Sequence, residues 1–162
     1  MTEKIDLDSI DLRILEQLQR DASLSNLDLA KATLTSAATC LRRVKRLTDA
    51  GVIERRVALL SPQRLDAGLT AIAEITLDRQ GAEHLADFEA RAVARAEVQQ
   101  CYRVSPGPDL VLVLQVSDMA AYHALVQALF TQDANVRNVK AFFSVHRAKF
   151  HTRVPLPSAP RG

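Results

Sequence analysis

The 162-residue chain reads as an α+β protein, with an N-terminal winged helix-turn-helix of three helices followed by a ferredoxin-like β-α-β-β-α-β domain. Three observations predict this. Apolar residues recur at helical spacing in three successive capped segments before residue 50. Beyond residue 68, four strand-like runs alternate with two helix-like runs in the ferredoxin-like order. Between these halves, residues 61–68 (SPQRLDAG) are rich in turn formers and mark a boundary. The sequence thus divides into a helix-turn-helix domain at 1–60, a linker at 61–68, a ferredoxin-like domain at 69–150 and a tail at 151–162.

Asp8 is placed to cap a first helix carrying Ile10, Ile14, Leu15 and Leu18, which ends near Asp21. Ser25, with Asp28 three residues on, is a capping-box variant. It opens a short second helix through Leu27, Leu29, Ala30 and Lys31. A brief connection at 33–35 leads to Ser36, the N-cap of the third helix. That helix ends at Gly51, where a left-handed residue costs little. A tight turn before the third helix is the helix-turn-helix arrangement.

On the third helix Ala37, Cys40, Leu41, Val44, Leu47 and Thr48 share one arc, expected to be buried. The opposite arc collects Ala38, Thr39, Arg42, Arg46 and Asp49, with Arg43 and Lys45 on the flanks. A plain surface helix also carries basic residues on its solvated side. The order along the arc favours DNA. Small residues near the helix start permit approach to a base edge, and cations follow where phosphates would lie. The candidate DNA-contacting residues are Ser36, Ala38, Thr39, Arg42, Arg43, Lys45 and Arg46.

Composition is that of an ordinary globular protein, 48% hydrophobic and 25% charged, with a net charge of only +2. Residues 1–60 hold ten Lys/Arg against nine Asp/Glu, and four of those cations fall between Arg42 and Arg46. Charge is segregated rather than abundant. No apolar run is long enough to cross a bilayer. The opening MTEKIDLDSID does not resemble a signal peptide, and a cytoplasmic address follows as the expectation. Cys40 and Cys101 lack paired spacing and are expected to be reduced core residues.

Residues 52–60 (VIERRVALL) are β-prone and are expected to form a wing or a connecting strand. Strands follow at 69–78, 98–105, 109–117 and 136–150, with helices at 81–96 and 119–130. Both helices are expected on one face of an antiparallel sheet, with Leu85, Phe88 and Val93 of the first facing inward. Ala71, Ala73, Ile75, Val111, Val113 and Phe143 supply more apolar residues than one small sheet face needs, so the sheet is the expected dimer clamp. The tail carries Pro155, Pro157 and Pro160 and is expected to be disordered.

Catalysis finds no support in the motifs. His84, His123, His146 and His151 have no metal-ligand spacing, and neither a phosphate-binding glycine loop nor a nucleophile elbow is present. No enzyme and no cofactor is expected. Two rival readings are a DNA-organising protein without an effector, and a metabolite-sensing module whose helix-turn-helix contacts protein.

Four stretches, taken in order, carry a resemblance. They are LDSIDLRILEQLQRDAS at 7–23, SNLDLAK at 25–31, CLRRVKRLTDAGVI at 40–53, and the strand from Asp109 preceded by a Ser-x-Gly turn. Together they resemble the Lrp/AsnC family of bacterial and archaeal transcription regulators over residues 7–149. The resemblance implies a DNA-binding helix-turn-helix and a ferredoxin-like domain that dimerises through its sheet. It further implies assembly of dimers into higher oligomers, commonly octamers, and an amino-acid effector held between dimers. The chain departs from the family pattern in two regions. Leu34 and Thr35 stand where the family usually has Gly and an apolar residue. In the effector region, Pro106 follows Ser105 where Gly is usual, and Val139 and Ala141 occupy positions that can carry hydroxyls in members that bind amino acids.

The candidate effector-binding residues are therefore Ser105, Gly107, Asp109, Val139 and Ala141. Gly107 allows close backbone approach and a free amide. Asp109 is either an ammonium partner or a hairpin residue bonding its own backbone, and both readings stand. Pro106 and Pro108 each delete a donor. A donor-poor site suits an apolar amino acid held by its side chain.

Overall fold

A computed structural model of the chain describes residues 5–66 and 68–157. The described chain forms two compact units. One comprises residues 5–59 together with 149–157, and the other comprises 60–148. Positions 158–162 of the tail and Ala67 of the linker lie outside the described residues.

The first unit holds three helices, α1 (Ser9–Arg20), α2 (Asn26–Ala32) and α3 (Ala37–Asp49). Each starts at its expected cap. Asp8 accepts from the amides of Ile10 and Asp11, while Asp11 accepts from the Asp8 N–H in return, a full capping box. Ser25 and Ser36 accept from the amides of Asp28 and Thr39. The helices enclose a small apolar core of Ile14, Leu15, Leu29, Ala30, Cys40 and Leu47.

Two left-handed residues terminate α2 and α3. Thr35 N–H reaches back to the Ala30 carbonyl and Leu34 N–H to that of Lys31; Val52 and Gly51 repeat the pattern with Leu47 and Thr48. Both are six-residue C-terminal locks that need a positive φ at their fifth residue, the first one past the helix cap. Gly51 supplies it at φ 70° without strain, but Leu34 takes φ 53° with a Cβ in place. The turn thus keeps the geometry of a glycine-bearing one, at a cost. Leu34 is 86% exposed, so its side chain packs little in return. Leu34→Gly is expected to stabilise this unit by about 0.5–1 kcal/mol, the relieved strain less the added freedom of an unfolded glycine. A denaturation midpoint that moves down in the variant would contradict this account of the turn.

The second unit runs β1 (Leu69–Leu77), α4 (Ala82–Val93), β2 (Val98–Arg103), β3 (Leu110–Val116), α5 (Met119–Val126) and β4 (Val136–Phe143). The strands form one antiparallel sheet in the order β2-β3-β1-β4, which is the ferredoxin-like topology. α5 continues into a wide turn at Gln127–Thr131. The core lies between helices and sheet, where Ala71, Ala73, Ile75 and Leu77 of β1 and Leu110, Leu112 and Leu114 of β3 meet Phe88, Ala92, Leu125 and Phe130.

Several expectations need correction. No strand forms at 52–60, because this stretch has no neighbouring strand to pair with among the described residues. β4 stops at Phe143 rather than Phe150. Its partner β1 begins at Leu69, and after the Ser144 N–H reaches the Thr70 carbonyl no edge remains to extend along. Val93 is exposed, since Phe88 and Ala92 set the inward face of α4 one turn apart. The tail is anchored from Arg153 to Leu156, as described below, because side chains of α1 hold Arg153 and Val154 and the helical core receives Leu156.

The apolar residues assigned to the sheet divide between two faces. Ala71, Ala73 and Ile75 are buried under the helices. Val111 and Val113 alternate to the other side, which no described element of this unit covers. There Ile72 lies opposite both Val113 and Phe142, and Tyr102 opposite Val111.

Candidate nucleic-acid interface

The exposed arc of α3 is rotated relative to the one read from periodicity. Ala38, Leu41, Arg42, Lys45, Arg46, Thr48 and Asp49 are exposed; Cys40 and Leu47 are buried. Leu41, expected inside, is 60% exposed, and Thr48 joins it outside. Only Cys40 and Leu47 of α3 are fully buried in the small core, with Ala37 and Val44 half-buried beside them, so the helix shows water a wider arc than an apolar count suggests. The centre of that arc is Ala38 and Lys45.

The four cations of this helix are not equivalent. Asp11, only 1% exposed, receives the guanidinium of Arg43 at 3.0 Å and that of Arg46 as well. Arg43 also binds Asp8 at 2.6 Å, and its side chain is only 18% exposed. Its Nε is buried without a partner among the described residues. Arg43, expected at a phosphate, is here paired with two carboxylates. That side chain pins α3 to the start of α1, and Arg46 is half committed to the same carboxylate. Asp6, Asp8 and Asp11 line a cleft of about 330 Å³ beside Arg42, Arg43 and Arg46, which makes this flank unwelcoming to phosphate.

Lys45 is different. Its side chain is 74% exposed and meets only Asp49, one turn on, in a surface pair that costs little to break. Arg42 is exposed and has no ion-pair partner among the described residues. At the helix start the hydroxyls of Ser36 and Thr39 bond each other at 2.9 Å, with Thr39 half-buried. Asn26 of α2 donates to the Ala37 carbonyl and Arg13 of α1 to that of Thr33. The first bond fixes the start of α3 to α2 and the second fixes the end of α2 to α1, so the turn that presents the arc is held at both ends.

The Asp8 carboxyl is held down at about 2, chiefly by the Asp11 amide and then by Arg43. Burial pushes the thiols of Cys40 and Cys101 up, which makes them poor nucleophiles. Among the described residues no group of His, Cys, Asp and Glu is placed to hold a metal ion.

In the second unit the candidate effector residues fall into two sets. Ser105 and Gly107 are exposed in the β2–β3 loop, and Gly107 has φ 119° with open space where a Cβ would lie. Asp109 holds the end of β1. Its carboxylate accepts from the Leu77 N–H at 2.7 Å and from Gln80 at 3.3 Å, while its own N–H donates to the Ile75 carbonyl. Val139 and Ala141 lie on β4, opposite Ile75 and Ala73, packed against the helix-covered core. β1 separates the sets, a span of about 10 Å at ordinary strand spacing.

Two family models together cover most of the chain. Residues 70–154 match the Lrp/AsnC ligand binding domain, and residues 7–54 match a winged helix-turn-helix DNA-binding domain. The chain belongs to the Lrp/AsnC family of transcription regulators. A leucine-responsive regulatory protein of Haemophilus influenzae is 40% identical across 88% of this chain and 86% of its own length. Two crystal structures share the architecture of this family member. An AsnC family regulator from Agrobacterium tumefaciens has a TM-score of 0.86 at 34% identity, covering 92% of this chain and 97% of its own. A Neisseria meningitidis transcriptional regulator solved as a complex with L-Met has a TM-score of 0.87 at 31% identity, covering 93% and 97%. Relatives with these names are regulators of transcription, not enzymes.

Sequence reasoning missed two features of this Lrp/AsnC helix-turn-helix. Asp11 went unremarked, although a carboxylate at the third position of a helix capped by Asp8 signals the capping box. Leu41 was placed inside, and nothing in its local pattern distinguishes it from Val44.

Proposed function

We propose that this regulator binds DNA as a homodimer, with α3 of each copy in the major groove, and that an apolar amino acid alters its assembly or affinity. The observation that carries the reading is the arc of Ala38, Leu41, Arg42 and Lys45, exposed and free of ion pairs to the other helices, while Arg43 and Arg46 pin one flank of α3 to Asp11. Arg42 and Lys45 supply charge for phosphates or guanine edges. Leu41, beside Ala38 on the arc, suits a thymine methyl, the one apolar group on a major-groove base edge.

Dimerisation is supported by the uncovered sheet face, where Ile72, Val111, Val113, Tyr102 and Phe142 form an apolar patch of the kind that marks an interface. Val57, Leu59 and Leu60 add exposed apolar residues in a β-prone stretch. Further assembly, up to an octamer, would let the loop at 105–109 of one copy meet the β4 edge of another and complete a site that one chain leaves divided. The L-Met bound to the Neisseria relative supports an apolar effector, as do the donor-poor prolines at 106 and 108. No described helix is long and apolar enough to cross a membrane, and a regulator of transcription acts where the DNA is, so we place it in the cytoplasm.

The test selects genomic fragments bound by the full chain, with and without a panel of amino acids. One apolar amino acid is expected to change the selected set or its affinity, with polar ones inert. In the selected duplex, replacing a contacted thymine with deoxyuridine is expected to weaken binding about fourfold, the worth of one buried methyl. In Leu41→Ala that penalty should vanish. A duplex with no thymine position whose penalty depends on Leu41 would remove Leu41 from the interface.

A further inference from the structure

Residues 149–157 belong to the DNA-binding unit, and one side chain of α1 grips them by the backbone. The Gln19 amide donates from Nε2 to the Val154 carbonyl at 3.1 Å and accepts the Val154 N–H at Oε1, 2.7 Å. A reciprocal pair of this kind reads an extended residue as a neighbouring strand would, whatever its side chain. One turn earlier on α1, Glu16 accepts from Arg153 at 2.6 Å. On the other side of the clip, Leu156 packs half-buried against the apolar core of the three helices. Leu156 and Pro157 also border a cleft of about 410 Å³ whose far wall includes Leu12, Arg13 and Ala32.

Charge, backbone and apolar contacts thus follow one another in register along Arg153-Val154-Pro155-Leu156. Prolines are what such a segment needs. Pro155 and Pro157 restrict φ before docking, so less chain entropy is lost on binding. The composition that reads as disorder is also the composition of a pre-extended ligand.

We propose that this face of α1 is a docking groove for an extended Arg-Val-Pro-Leu-Pro segment, that its occupant is the chain's own C-terminal tail, and that the docked tail is a second fastening of the DNA-binding unit. The chain leaves that unit after Leu59 and re-enters it at Lys149, so a short stretch of chain joins β4 of the ligand-binding unit to the segment that Gln19 and Glu16 of α1 hold by hydrogen bonds and an ion pair. A change that reaches β4 on effector binding has a direct route to the helix that carries α3. The effect on DNA affinity rests on α3 being the DNA-contacting helix; the docking itself does not.

Trypsin cleaves after Arg153 only when the Val154 backbone is free to enter the protease. In the full chain, Gln19→Ala and Leu156→Asp are each expected to speed cleavage of the 153–154 bond about tenfold, at a rate independent of protein concentration, with the helical circular dichroism retained. Both variants should also lose several-fold in operator affinity. Equal cleavage rates in wild type and Gln19→Ala would overturn the docking. Protection that grows with protein concentration would seat the segment on a second copy and overturn its assignment to the chain's own groove. Faster cleavage with unchanged operator affinity would overturn the fastening. If wild type itself bound no duplex, the DNA reading would fall while the cleavage result still decided the docking.

Discussion

Replacing Arg43 with alanine is expected to destabilise the DNA-binding unit by about 3 kcal/mol while leaving the salt dependence of DNA affinity unchanged. The Asp11 carboxylate is almost wholly buried, and its charge is tolerated because two guanidinium groups and the Asp8 amide surround it. Losing one partner of a buried pair costs about 3–5 kcal/mol when the remaining charge is left alone. Arg46 remains in Arg43→Ala, which sets the effect at the lower end. Lys45→Ala should do the opposite. Its partner Asp49 is exposed, so stability changes by only about 0.3 kcal/mol, but one phosphate contact fewer flattens the salt slope by about one ion. Denaturant unfolding and DNA titration at several salt concentrations, run on both variants, check the pair of outcomes. A flattened slope in Arg43→Ala with normal stability would return that residue to the DNA surface.

The same cluster sets an acid limit on the fold. Asp8 titrates near 2 in the folded chain, below the ordinary carboxylate range. Its contribution is therefore fully present above about pH 4 and is lost as pH falls towards 2. Solvent exposure of Asp8 keeps that contribution modest.

The second large effect is expected on the open face of the sheet. Val113→Glu would place a carboxylate at the centre of the apolar patch, opposite Ile72, without touching the core on the other side. A buried, unpaired charge in a dimer interface costs several kcal/mol. The variant should fold, run as a monomer at micromolar concentration in light scattering, and bind its operator at least about 100-fold more weakly, because two half-sites are no longer read together. A Val113→Glu protein that stays dimeric with full affinity would move the interface elsewhere.

Most of the fold was legible because local signals agreed with one another. Asp8, Ser25 and Ser36 cap where their side chains predict, and the ferredoxin-like order follows from alternating periodicities. What was not legible depends on the third dimension. Periodicity alone does not say how wide a stripe the core demands, so Leu41 was counted as interior. A cluster of cations looks like a DNA surface until the carboxylate facing it is located, and Asp11 lies 32 residues from Arg43. The run from 136 to 150 is β-prone throughout, yet a strand lasts only as long as its neighbour. In the tail, three prolines pointed to disorder, whereas Gln19 and Glu16, far away in sequence, supply the partners of an extended segment.

The same limit applies to Asp109. Its carboxylate satisfies the N–H of buried Leu77, so Asp109→Ala would leave a buried donor unpaired at a cost of about 1–3 kcal/mol. Loss of an effector response in that variant would therefore not by itself mark a ligand contact. Substitution at Ser105, exposed and in the loop, is the cleaner probe of the effector site.

The central claim, that the exposed arc of α3 enters the major groove in two copies, is tested most directly by methylation interference on a selected duplex. Dimethyl sulfate marks guanine N7 in the major groove and adenine N3 in the minor groove, so one experiment reports on both. Binding should be blocked by guanine N7 methylation in two clusters about one helical turn apart, and left unaffected by adenine N3 methylation between them. Interference confined to adenine N3, or to a single cluster, would contradict it.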